Sequence, residues 1–216
     1  MTIAAFPSVP FIYYNVTFGT LAQSEPFWDS MTYWLSQYPV LAEVGLAGYG
    51  DIQPNVSIDG INFGGFQGGF ILPVLSPSNT TASIAAAIDP ILEHINATWP
   101  GYFQFATNAI TFPSFYDWWA IGNGPDWAGV DIMVGSRLLP AEALTANLTA
   151  LKIALQGFVN PQSEDISVDF VSGKGVWNAV PRGGSDSVNP AWRKAVIHMS
   201  EYIPLISSLD LPVHLL

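Results

Sequence analysis

Residues 9–18 read VPFIYYNVTF, and residues 24–38 read SEPFWDSMTYWLSQY. The first run is rich in β-branched and aromatic residues, which suit a pleated, half-buried surface, and it predicts a strand over Val9 to Phe18. The second carries Phe27, Met31, Trp34, Leu35 and Tyr38 at spacings of three and four. That is one apolar face of a helix. Ser24 is the expected N-cap and Pro26 falls in the first turn, while Pro39 and Gly45 bracket the end. A half-polar strand followed by an amphipathic helix sets the pattern to look for outward along the chain.

The pattern recurs. Gly45 to Gly69 is glycine-rich and reads as irregular, with short strands and turns around Ile58 to Phe63. Gly69 to Leu75 predicts a strand. Asn79 or Thr81 then opens a helix whose apolar face is Ile84, Ile88, Ile91 and Ile95. Pro90 inside it predicts a kink, because proline removes a backbone donor and crowds the preceding turn. Tyr102 to Thr111 predicts a strand, Ser114 caps a short helix with Phe115, Trp118 and Trp119, and Val130 to Leu138 predicts another strand. Pro140 starts a helix through Leu144, Leu148, Leu151 and Leu155. Ile166, Val168 and Phe170 alternate with polar residues, the period of a half-buried strand. Gly173 to Pro190 reads as a long loop; Trp192 to Met199 fits strand or helix, and strand is the expectation. Few helices and half-polar strands define an α+β fold with an antiparallel or mixed sheet and helices packed on one face.

Composition narrows the function. The chain has 216 residues, enough for a substantial core. Half of them are hydrophobic, 11% are charged, and the mean hydropathy is +0.32. Ordinary domains carry about 25% charged residues, so apolar surface is expected that another domain covers. The apolar stretches are interrupted well before the roughly 20 residues a membrane span needs, and Met1 to Tyr14 has no basic start to a signal peptide. A net charge of −11 repels phosphate backbones and argues against nucleic acid. The absence of cysteine removes disulfides, thiolate metal sites and cysteine nucleophiles. Five N-x-S/T sequons, at Asn15, Asn55, Asn79, Asn96 and Asn147, point to a glycosylated, secreted protein, with Asn15 the exception because it falls in a strand.

Signatures of familiar catalysis fail. Ser172-Gly173-Lys174-Gly175 lacks the upstream glycine and the following Ser or Thr of a phosphate loop, and there is no GxGxxG or GxSxG. His94, His198 and His214 are far apart and form no HExxH, so each reads as a surface or satisfied core histidine rather than a metal ligand. Glu164, Asp165 and Asp169 read as a solvated loop and strand face.

Several segments, in order, resemble one family. They are Glu25-Pro26-Phe27-Trp28-Asp29, Asn79-Thr80-Thr81, Phe112-Pro113-Ser114-Phe115-Tyr116-Asp117-Trp118-Trp119, Gly135-Ser136-Arg137-Leu138-Leu139-Pro140, and Ser187-Val188-Asn189-Pro190-Ala191-Trp192-Arg193-Lys194-Ala195. Together they resemble the substrate-binding region of fungal FAD-linked oxidases of the berberine-bridge group. The resemblance implies an α+β substrate domain whose sheet lies over a flavin held mainly by a separate FAD-binding domain. It also implies secretion, and oxidation of an alcohol, sugar or alkaloid-type small molecule with oxygen as acceptor, the cofactor carrying the redox chemistry. Two departures matter: nothing corresponds to the N-terminal flavin domain with its His and Cys attachments, and Glu201 to Leu216 carries no tyrosine-containing flavin-contacting motif. The expectation is therefore an incomplete substrate-binding domain over residues 1–199 with a divergent tail over 200–216. It would need a missing flavin-binding domain as partner and bind no FAD by itself.

No catalytic base or covalent flavin ligand transfers. Tyr102, Gln104, Asn108 and Arg137, on or beside predicted strands, are the candidate substrate contacts. Asn189, Trp192 and Arg193 mark the recognisable block, where Asn189-Pro190 equally fits plain turn chemistry. Trp118, Trp119 and Trp192 read as packing residues. The alternatives are a cofactor-free small-molecule binding protein or pericyclase-like relative acting through proximity alone, and an unrelated lectin-like domain.

Overall fold

A computed structural model describes residues 8–22, 24–122, 132–159, 165–170, 173–180, 184 and 188–204. In chain order the elements are β1 (Phe11–Leu21), α1 (Phe27–Ser36), α2 (Tyr38–Glu43), β2 (Ala47–Ile58), β3 (Ile61–Pro73), α3 (Thr81–Thr98), β4 (Gln104–Phe112), α4 (Phe115–Gly122) and β5 (Ile132–Pro140). There follow α5 (Ala141–Thr145), α6 (Leu148–Phe158), β6 (Ile166–Phe170), α7 (Lys174–Trp177), a 3-10 turn (Pro190–Arg193) and β7 (Ala195–Pro204). The strands form one seven-stranded sheet in the order β4-β1-β3-β2-β6-β7-β5. Every pairing in it is antiparallel. The fold class is α+β, as the alternation of patterns predicted.

Strand alternation divides the sheet into two unlike faces. On one, Ile12, Tyr14, Val16 and Phe18 of β1 are buried, together with Phe66, Phe70, Ile52, Ile166 and Val168 from the neighbouring strands. α1, α2, α3, α5 and α6 contribute Met31, Trp34, Tyr38, Leu41, Ile84, Ile88, Leu144 and Leu155 to this one core. Trp34, with no exposed surface, sits at its centre, its ring 5.2 Å from Phe18 and 5.1 Å from Phe66. The other face, carrying Tyr13, Asn15, Thr17 and Gly19 of β1, is covered at one end, among the described residues, by α4. There Phe115 and Trp118 pack 5.8 and 6.1 Å from Phe11, and Trp118 lies 5.6 Å from Tyr13. Helices on one face is thus right for five elements and wrong for α4.

Local differences from the sequence expectations have physical causes. The stretch read as irregular between Gly45 and Gly69 is a long hairpin of β2 and β3. Asp59 (φ 51°) and Gly60 (φ 79°) make its two-residue turn. Two consecutive left-handed residues are the backbone that follows the twist of a tight hairpin, and Asp-Gly supplies them cheaply. The N-cap of α1 is Pro26 with no side-chain bond, while Ser24 spends its hydroxyl on Thr20 at 3.1 Å. Pro39 ends no helix; it occupies the first turn of α2, so Tyr38 belongs to that second helix. α3 opens at Thr81, one of the two expected starts, and Thr80 caps it, exchanging bonds with Ser83; the helix continues through Pro90. The leucine helix is two helices, because Asn147 accepts the Ala150 amide at 2.9 Å and starts α6 afresh. The loop after Gly173 contains α7, and β7 begins at Ala195 after the 3-10 turn.

That last strand runs across the expected domain edge at residue 199. Residues 1–7 and 205–216, with the remainder of the tail and His214, lie outside the described residues, as do Val130, Glu164, Ser172 and Ser187. Among the described residues no helix is long and apolar enough to cross a membrane.

Candidate functional site

The face opposite the core gathers the polar residues. Cross-strand partners share a face, so the register reads as rows running across the sheet. One row is Asn108–Asn15–Gly69–Tyr49–Asp169–His198–Leu138. The next is Ala106–Thr17–Gln67–Asp51–Ser167–Ser200–Ser136. A third begins Gln104–Gly19–Gly65–Gln53.

Two hydrogen-bonded pairs stand in the middle. The Ser167 hydroxyl donates to Asp51 Oδ1 at 2.8 Å. His198 Nδ1 and Asp169 Oδ2 are 3.1 Å apart, with side chains 26% and 22% exposed, enough for a small molecule to reach them. The Trp192 ring lies beside the imidazole, 5.5 Å between centroids. Histidine and aspartate twenty-nine positions apart in sequence become direct neighbours only through the β6–β7 register, and reading the sequence missed this pair.

Beyond Tyr49 the face becomes aromatic. A cleft of about 730 Å³ opens between the sheet and α4, lined by Tyr13, Tyr49, Ile71, Ile110, Trp118 and Trp119 among others. Its floor exists because residue 69 is glycine, and the Tyr13 ring lies across the space a Cβ would fill there. At the opposite end of β1 a second cavity of about 610 Å³ lies over Gly19 and Gly65, beside Gln53, Gln67, Gln104 and Tyr102.

The candidate contacts therefore separate. Gln104 and Asn108 of β4 lie on this open face, opposite Gly19 and Asn15. Tyr102 precedes the strand, half exposed, at the rim of the second cavity. Arg137 is not with them. It pairs with Met199 on the core side and borders a cavity against α5 and α6 beside Glu142 and Leu155. The alternation of β5 counts it onto the other face, and no strand phase was readable without a partner. Asn189 is a turn residue, its side-chain Oδ1 accepting the Ala191 amide at 2.9 Å, and Arg193 donates to the Val176 carbonyl at 3.1 Å. Of that block Trp192 approaches the polar row, its ring beside His198. Among the sequons, Asn55, Asn96 and Asn147 are exposed. Asn79 is half-buried, donating to the Pro73 carbonyl at 2.7 Å. Asn15 donates to the Gly68 carbonyl at 3.1 Å from an interior strand, a bond a glycan would have to displace.

Burial raises the Asp51 carboxyl above its ordinary value, the Ser167 bond opposes this, and the charges of Asp165 and Asp169 add to it. The sign of the linkage follows. A raised folded-state value means that Asp51 contributes stability below its unfolded value of about 3.9, and that this contribution is lost as pH rises through the folded value. Asp51→Asn keeps an acceptor for Ser167 and removes the charge. Urea midpoints measured across the acid range are expected to lose that decline on the alkaline side and to lie above wild type at neutral pH. A variant less stable than wild type at neutral pH contradicts this account.

No family model matches the chain, and no curated protein matches its sequence. Solved structures match its fold. The VAO-type flavoprotein MtVAO713 from Myceliophthora thermophila C1 superposes with a TM-score of 0.74 at 20% identity, over 90% of this chain and 34% of that one. Glucooligosaccharide oxidase from Acremonium strictum, which carries a cysteinyl, histidyl FAD, gives 0.52 at 14% identity over 94% and 40%. BBE-like 1 from Physcomitrella patens gives 0.51 at 10% over 94% and 40%. The chain therefore has the fold of one region of the VAO-type and berberine-bridge-like flavoproteins. It spans about a third of the length of the first two structures it matches.

Proposed function

We propose that this chain forms the substrate side of the active site of an FAD-dependent oxidoreductase, with the open sheet face as one wall. The observation that carries the proposal is the unequal covering of the sheet. Five helices bury one face, while the other is left with hydroxyl, amide, carboxylate and imidazole groups in register beside an aromatic cleft. A polar face of this kind, in the fold shared with these flavoproteins, suits a wall against which a small molecule is oriented.

The described residues fit part of the cofactor. Gly19 and Gly65 stand side by side without side chains, with Gln53, Gln67 and Gln104 around them. That arrangement accepts one face of a flat ring and offers amides to its edge. No set for a diphosphate accompanies it among the described residues: Lys152 is bound to Asp29 at 2.8 Å, and Arg193 to a backbone carbonyl. The flavin's phosphates would be held outside these residues, and the flavin, when bound, would supply the redox step. This chain's own residues bind, orient and exchange protons. The substrate is an alcohol, sugar or secondary metabolite, and the exposed sequons at Asn55, Asn96 and Asn147 support a secreted, glycosylated protein.

The test is purification of the protein from its source under non-denaturing conditions, followed by its visible spectrum. A flavin band that follows the polypeptide through size exclusion is the expected result. These residues are expected to take up no FAD by themselves, so the outcome that overturns the reading is a colourless protein, in the full form its source makes, that takes up no FAD and turns over no alcohol or sugar. That outcome favours a cofactor-free binding protein built on the same face.

A further inference from the structure

We propose that Asn96 carries an N-linked N-acetylglucosamine whose ring seats in the hollow between α3 and β4, against Phe105 and beside Glu93. The proposal rests on the reading above only for secretion, and it involves neither the flavin nor the open face of the sheet.

The seat follows from helix geometry. Asp89, Glu93 and Asn96 recur at spacings of four and three, so they share one face of α3. Side chains on a helix lean towards its N-terminus. A group carried by Asn96, in the last turn, therefore lies back over Leu92 and Glu93 rather than out beyond the helix end. The chain turns from α3 into β4 through Gly101 (φ 82°). Phe105 and Thr107 of β4 form the opposite wall, and together these residues enclose a hollow of about 280 Å³.

The walls suit a sugar. Phe105 is half-buried and held by neighbouring rings, 5.9 Å from Phe18 and 6.2 Å from Phe103. A pyranose presents C–H groups on its faces, which pack on an aromatic ring, and hydroxyls at its edge, which donate to carboxylates. Asp89 Oδ1 accepts the Tyr14 hydroxyl at 2.6 Å. The Glu93 carboxylate is bonded to no described residue. The hollow is smaller than the roughly 300–1,000 Å³ of pockets that hold free drug-sized ligands. A ring tethered to its own wall needs less, because attachment gives it a high effective concentration there.

Asn96 is available for the attachment. It is exposed, and its side-chain amide makes no hydrogen bond to a described residue. At Asn15 and Asn79 the same nitrogen already donates, to the Gly68 and Pro73 carbonyls. Asn96-Ala97-Thr98 is the acceptor sequence, and the fraying of helix ends opens the last turn to a transferase. The donor is a lipid-diphosphate-linked oligosaccharide. The bond from sugar C1 to the phosphate oxygen breaks, a C1–Nδ2 bond forms, the lipid diphosphate leaves, and one Nδ2 proton passes to the transferase.

The test uses the full protein secreted from yeast, with peptide mass spectrometry reading occupancy and thermal melting reading the seat. An endoglycosidase that leaves one N-acetylglucosamine is expected to leave the Tm of wild type within about 1 °C. Asn96→Gln and Thr98→Ala, which carry no sugar there, are each expected to melt about 3 °C lower. Thr98→Ser keeps the sequon and the hydroxyl that bonds the His94 carbonyl, and is expected to melt with wild type. Glu93→Ala is expected to lower the Tm of the one-sugar protein by about 2 °C and that of Asn96→Gln by less than about 0.5 °C, the coupling that a seated sugar requires. An unmodified Asn96 beside a modified Asn55 or Asn147 overturns the proposal and leaves the secretion reading standing. So does a modified Asn96 whose loss changes no Tm, or trimming to one sugar that costs as much as removing it. A sugar-free protein stabilised by millimolar calcium would give the hollow to a cation and likewise overturn it. Sugar at no sequon removes the secretion reading as well.

Discussion

Trp34→Ala is expected to destabilise the fold by about 4 kcal/mol, the middle of the range for truncating a buried aromatic to alanine. The indole has no exposed surface and touches four other rings: Phe18, Tyr38, Phe66 and Phe70. These come from β1, α2 and β3, so the cavity opens where the helical layer meets the sheet and cannot collapse from one side alone. Domains of this kind have net stabilities of about 5–15 kcal/mol, which makes the loss a large share of the total. Urea denaturation followed by far-UV dichroism measures it. Tyr116→Ala, at a site 69% exposed on α4, is the control and is expected to shift stability by less than about 1 kcal/mol. A loss near 1 kcal/mol at Trp34 would mean that the rings close over the gap, and that the core is less tightly specified than its burial implies.

What could be read in advance, and what could not, divides along one physical line. β1, α3 and β6 were legible because each carries its own period: alternation in Ile166–Val168–Phe170, and isoleucines at helical spacing from Ile84 to Ile95. The β2–β3 hairpin was not, because its glycines resemble a loop. They are strand glycines chosen for tertiary reasons. Gly50 lies beneath the Phe66 ring, and Gly48 stands on the core face between Phe70 and Phe170, whose rings meet across it 6.1 Å apart. The local signal that could have rescued the hairpin was Asp59-Gly60, two residues between runs of aliphatic and aromatic side chains.

The site failed for a related reason. Asp169 looked like one of several acidic strand residues and His198 like an isolated histidine. Nothing in their own segments tells that β6 and β7 pair so as to bring them within 3.1 Å. Arg137 was grouped with Gln104 and Asn108 because all three lie on strands. Which face a strand residue occupies is a question of phase, and Met199 across the ladder answers it only in three dimensions.

The same strand glycines yield the second large effect, through a pair of substitutions that differ in what the new methyl group meets. At Gly48 a Cβ would fall onto the Gly69 carbonyl oxygen, with the Phe70 Cα at 3.1 Å. Those are backbone atoms of the central β2–β3 ladder, and they move only if the register opens. Gly48→Ala is therefore expected to cost about 3 kcal/mol, the upper part of the usual range for overpacking. It should do so despite the entropy that alanine recovers in the unfolded chain, about 0.5–1 kcal/mol. At Gly69 the three atoms nearest the methyl all belong to the Tyr13 side chain. A side chain can rotate away, so Gly69→Ala is expected to remain within about 1 kcal/mol of wild type in urea. Its effect should appear instead in the near-UV dichroism of the Tyr13–Trp118 pair, because the displaced ring enters the cleft. The contrast separates what each glycine is for. Equal stability losses would mean that the open face is as rigidly packed as the core, which would undercut its use as a binding wall. A costly Gly48→Ala beside a stable Gly69→Ala with an altered Tyr13–Trp118 signal would place the demands of the fold on one side of the sheet and an adaptable cleft on the other.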